Sequence, residues 1–75
     1  MKIQEIKKID NDLLIICEGN NYFLIEEGFY TKLTKPKMVV PLREGVIRIY
    51  FHKGIYKDIQ NCKKLNEADM VELLL

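Results

Sequence analysis

Seventy-five residues are the length of one domain, close to the size at which a hydrophobic core alone becomes marginal, and leave no room for a second. An apolar share of 48% beside 31% charged residues excludes a disordered chain, and no apolar run approaches the roughly 18 residues of a membrane span. The formal net charge of +1 hides a split: residues 10–28 carry five acids and no base, whereas residues 29–64 carry nine bases against Glu44 and Asp58, a net of +7. In a small fold distant segments become neighbours, so this split predicts acids paired with bases across strands, with a polarised field as the alternative.

The N-terminal "MKIQEIKKIDND" lacks the uninterrupted apolar stretch of a secretory signal, so a cytoplasmic location is expected. Turn residues then recur every eight to ten positions, as "DND" at 10–12, "GNN" at 19–21, "EG" at 27–28, "KPK" at 35–37, "EG" at 44–45 and "KG" at 53–54, with "NEAD" at 66–69 as the last. That is the rhythm of short strands joined by hairpins. Ten isoleucines against a single alanine suit a pleated sheet better than a helix.

The predicted strands run from Lys2 to Ile9, Leu13 to Glu18, Tyr22 to Glu26, Phe29 to Thr34, Met38 to Leu42 and Val46 to His52. Pro41 has no N–H for a ladder, so the fifth belongs at an edge or ends there. A three-residue loop at 53–55 sets Ile49 opposite Ile59 and Tyr50 opposite Asp58 in a further strand. One face then reads Ile47, Ile49 and Ile59, and the other Arg48, Tyr50, His52, Tyr56 and Asp58.

At the C-terminus two readings compete. Asn66 followed by Asp69 suits the cap of a short helix running to Leu75. Against it, "IQEIKKIDNDLLIIC" at 3–17 lies over "IQNCKKLNEADMVELLL" at 59–75 as a partial repeat, which favours strand-turn-strand at both ends. The prediction is an all-β fold, a small antiparallel barrel or sandwich of six to eight short strands, with an α+β fold carrying a short C-terminal helix as the alternative.

The segments "LLIIC" at 13–17 and "ELLL" at 72–75 are apolar on both sides of a strand, and "YFLI" at 22–25 nearly so. Such strands are covered on both faces. Burying each Leu or Ile contributes roughly 1.5–3 kcal/mol. A second copy of the chain is the simplest cover, so a homodimer or larger assembly is expected through Leu14, Ile16, Leu73, Leu74 and Leu75, the alternative being a monomer whose termini wrap over that face.

Chemistry is sparse. His52, Cys17 and Cys62 have no paired-ligand spacing, so no metal site is expected, and both cysteines read as reduced, with Cys17 in the core. There is no serine, and no cysteine-histidine context marks a nucleophile. Glu26-Glu27 and Asp10-Asp12 lie beside turns, where acids are common, and the four glycines are dispersed one per turn rather than gathered around a phosphate. Neither an enzyme nor a cofactor is expected.

What remains is a non-catalytic module that binds a macromolecule, most simply a small protein-interaction or inhibitor-type protein with a partner that is itself acidic. The expected face comprises Tyr30, Lys32, Arg43, Arg48, Tyr50, His52, Lys53 and Tyr56, because tyrosine and arginine together form many interface hot spots. The same residue types suit nucleic acid, the alternative partner, although two arginines in a nearly neutral chain make a thin basic track. A small-molecule-binding oligomer is the third reading. The richness in Lys, Ile and Asn is that of an AT-rich coding sequence, common among phages and other mobile elements.

Overall fold

Short polar turns bring the first three strands together as neighbours. Ile9 faces Asp12 across the two-residue turn Asp10-Asn11, with Asp10 in the left-handed region at φ 52°. Short polar side chains tolerate that conformation. Cys17 faces Asn21 across the next turn, where the Asn21 amide donates to the Glu18 carbonyl at 2.8 Å. The computed structural model describes residues 1–27 and 34–75, and on these the protein is mostly β, with two antiparallel sheets and one short C-terminal helix.

The strands are β1 (Ile3–Ile9), β2 (Asp12–Cys17), β3 (Asn21–Ile25), β4 (Met38–Arg43), β5 (Val46–Tyr50), β6 (Tyr56–Ile59) and β7 (Cys62–Leu65), and the helix is α1 (Glu67–Leu74). One sheet has the order β1-β2-β3-β7 and the other β4-β5-β6. They are clasped at one side: Lys2 bridges Met38, Ile3 N–H donates to the Lys37 carbonyl at 3.2 Å, and Val39 N–H donates to the Met1 carbonyl at 2.8 Å. Among the described residues no ladder joins β6 to β7, so the barrel stays open there. Pro41 lies on the outer strand β4, beside a bulge between Pro41 and Arg43, as its missing N–H requires.

The double-sided strands are explained by a third layer. Leu13, Ile15 and Cys17 of β2 and Phe23 and Ile25 of β3 face Val39, Ile47, Ile49 and Ile59 of the other sheet. Their neighbours Leu14, Tyr22 and Leu24 point the opposite way and, with Leu65, pack under Met70 and Leu73 of α1. The cover predicted from a second copy is thus supplied within the chain.

The preference for strands at the C-terminus is corrected. Cys62–Leu65 is a strand, but Asn66 accepts the N–H of Asp69 at 2.8 Å and starts a helix whose first turn carries Glu67 and Asp69 at its positive end. The repeat fails at this point. Asp10-Asn11 turns a hairpin, whereas the turn residues Asn66 and Asp69 here form a helix cap, followed by an apolar spacing, Met70 to Leu73, that suits one helical face.

The β5–β6 register also differs from expectation. Ile47 faces Ile59 and Ile49 faces Lys57, two residues away from the predicted pairing. The connecting loop is longer than three residues: Phe51 N–H donates to the Ile55 carbonyl at 2.7 Å, enclosing a 3-10 turn at His52–Gly54 with Lys53 at φ 60°. A slip by two leaves each side chain on its predicted face. The predicted strand Phe29 to Thr34 lies, apart from Thr34, outside the described residues.

Candidate functional site

Alternation along β5 and β6 turns Arg48, Tyr50, Tyr56 and Asp58 away from the core, while Ile47, Ile49 and Ile59 are buried. Arg48 stands directly opposite Asp58, and Tyr50 opposite Tyr56. The guanidinium meets the carboxylate as a fork, with Nε donating to Oδ1 at 2.7 Å and Nη2 to Oδ2 at 3.1 Å. Two parallel charge-assisted bonds fix the plane of the guanidinium as well as its position.

That plane lies against an aromatic ring. The guanidinium carbon of Arg48 is 4.0 Å from the centroid of Tyr56, whose ring is in turn 5.8 Å from that of Tyr50 at an interplanar angle of 55°. Cation–π and tilted aromatic contacts of this kind order side chains that would otherwise be free. On the neighbouring strand Val40 faces Arg48 and the exposed Met38 faces Tyr50. The patch is therefore one balanced ion pair framed by two tyrosines and two apolar side chains.

The pairing sets its electrostatics. The hydrogen bonds from Arg48 hold the Asp58 carboxyl below the usual carboxylate range, and the field of Arg43 acts in the same direction. The bond to Asp58, followed by the Tyr50 hydroxyl, holds the Arg48 guanidinium still more firmly protonated than usual. Both shifts favour the charged forms, so the pair is held as a guanidinium and a carboxylate near neutral pH. Burial pushes the Cys17 thiol up and carries that of Cys62 to about 12, so neither is poised as a nucleophile. Among the described residues no three His, Cys, Asp or Glu side chains gather as a metal site, and no helix is long and apolar enough to cross a membrane.

The remaining predicted site residues are scattered. β5 ends at Tyr50, so His52 and Lys53 leave the sheet and stand exposed in the 3-10 turn. Arg43, also exposed, lies at the far end of β4 and lines a separate cleft beside β7. Tyr30 and Lys32 lie outside the described residues. Of the residues expected in an oligomer contact, Leu14 is fully buried beneath α1, Ile16 and Leu73 are half-buried at its margin, and Leu74 and Leu75 are exposed.

Two contacts of the charged stretches stay within their own stretch. Arg48–Asp58 forms within the basic stretch, and Asp12 of the acidic stretch accepts the backbone N–H of Glu27 at 2.8 Å. Sequence reasoning placed Asp58 on the face but not in the grip of Arg48, and passed over Lys63 and Lys64, whose position beside the Arg43 cleft depends on β3 pairing with β7. No protein-family model matches the chain, and no curated protein or solved structure matches it either.

Proposed function

We propose that the protein is a non-catalytic protein-interaction module whose docking face is centred on Arg48, Tyr50 and Tyr56. The observation that carries this reading is the neutralisation of Arg48: its two carboxylate-directed bonds go to Asp58, and its plane is spent on Tyr56. A phosphate backbone attracts uncompensated cations. A protein hot spot favours ordered tyrosine and arginine on a balanced surface. Tyr56 is 51% exposed and Met38 39%, so the patch has apolar area to lose on contact.

Docking here would bury Tyr56 and Met38 against an apolar patch of the partner, and the Arg48–Asp58 fork would meet one donor and one acceptor. The test compares capture from a lysate of the source cells by immobilised wild-type protein and by the double variant Arg48→Met/Tyr56→Ala. Both changes lie on exposed or half-exposed positions, so circular dichroism should be unchanged. Retention of a stoichiometric protein by the wild type and its loss from the variant is the expected outcome. Equal retention by both removes this face from consideration, and co-purifying nucleic acid released by salt returns the nucleic-acid reading to first place.

Self-association would run through a different surface. Val71, Leu74 and Leu75 on the outward side of α1 are 55%, 44% and 101% exposed and support a contact between copies. Light scattering across a concentration series, with Val71→Glu/Leu74→Glu as the comparison, decides whether that surface is used.

A further inference from the structure

The two sheets part along β7. In the β3–β7 ladder Ile25 stands opposite Cys62 and Phe23 opposite Lys64. The N–H of Cys62 donates to the carbonyl of Gly45, in the β4–β5 turn, at 2.9 Å. Antiparallel ladders alternate bonded and non-bonded pairs, so the N–H and C=O of Lys64, two residues further on, also point away from β3 and along the outer edge of the sheet. Gly45 thus occupies the first position of a ladder that could continue along β7.

Beside that edge lies an open cleft of about 550 Å³ between β7 and the β4–β5 turn. Phe23 and Val46, both buried, contribute to its floor, and Arg43, Lys63 and Lys64 outnumber Glu44 around it. A sheet edge offering backbone groups next to side-chain pockets is the arrangement by which a peptide is added as a strand. Lysines on such an edge discourage pairing with a second copy of the same strand. The same charges attract an edge of opposite sign.

We propose that this cleft binds an extended acidic segment of a partner protein, which pairs with β7 at Lys64 and continues the ladder begun by Gly45. Alternate side chains of the segment fall on opposite sides. The side chains facing the cleft would settle on Phe23 and Val46, whose cross-strand partners Lys64 and Arg43 stand on the same face and would meet carboxylates at its rim, while those on the other side would lie beside Lys63. No residue of the Arg48–Tyr56 face takes part, so this inference stands or falls independently of the function proposed above.

Three fluorescein-labelled octapeptides, alternating glutamate with valine, leucine or phenylalanine, serve as probes. Titration of the full chain should give a saturable rise in anisotropy with at least one of them, and the amide resonances of Gly45 and Lys64 should shift. The exposed double variant Arg43→Glu/Lys64→Glu, checked for folding by circular dichroism, should weaken binding by about tenfold or more. N-methylation of one alternate set of peptide amides should abolish it and of the other set should not, because only every second N–H faces β7. Absence of saturable binding to all three peptides, equal affinity for the charge-reversed variant, or indifference to N-methylation each overturns the proposal, as does tighter binding of oligothymidylate than of any peptide.

Discussion

Arg48 is ordered by three neighbours, and its dependence on them can be measured at Asp58. Because the folded-state carboxyl is held below its unfolded value of about 3.9, the pair contributes stability above that pH and loses it as pH falls through the folded midpoint. Replacing Arg48 by methionine removes the principal cause, and a carbon-13 titration of the Asp58 carboxyl should show its midpoint rising towards the ordinary range. A midpoint that does not move would assign the effect to Arg43 instead. Much of this cluster was legible in the sequence: period-two alternation sorts Arg48, Tyr50, Tyr56 and Asp58 onto one face whether or not the register is right. The contact between Arg48 and Asp58 was not legible, since it requires the five-residue loop at 51–55, whose closure depends on Lys53 entering a left-handed conformation that its sequence does not advertise. His52 was misplaced for the same reason, because that loop begins where the strand was expected to continue.

The element that most changes the reading is α1. With eight residues it is too short to be stable alone and has no fully buried side chain, so it is held by its cap and by Met70 and Leu73 against β2, β3 and β7. Asn66→Ala should therefore lower stability by about 1 kcal/mol, read as a shift in the urea midpoint. It should also raise binding of a hydrophobic dye, as fraying uncovers Leu14, Tyr22, Leu24 and Leu65. An unchanged dye signal would mean that the helix is seated by its apolar contacts regardless of the cap. The double-sided character of "LLIIC" and "YFLI" correctly announced two coverings for β2 and β3, yet not which segment supplies the second. Three consecutive leucines at 73–75 hide the helical period, and only the cap residues distinguish this segment from a buried strand.

At the scale of the whole molecule, which measures 37 × 25 × 22 Å, two sheets share one core but are joined by hydrogen bonds at few places. The cleft beside β7 follows from that open architecture. It could not be anticipated from local pattern, because the β3–β7 pairing brings together residues some forty positions apart, such as Phe23 and Lys64. The clasp of Met1 to Ile3 on Lys37 to Val39 is of the same long-range kind, with Met1 and Val39 38 positions apart. It is expected to divide the folding reaction in time. The β1–β2 and β2–β3 hairpins close across short turns, whereas the clasp must wait until a long intervening loop is restrained, at an entropic cost that grows with loop length. In stopped-flow experiments Ile16→Ala, on the face of β2 turned away from the other sheet, should slow refolding. Val39→Ala, at the clasp, should leave refolding nearly unchanged and accelerate unfolding. Equal effects of the two substitutions on the refolding rate would mean that the sheets join before the hairpins are complete. If the clasp does form last, it is also the first contact to open, and the N-terminal strand is where a native molecule would begin to exchange its amide hydrogens with solvent.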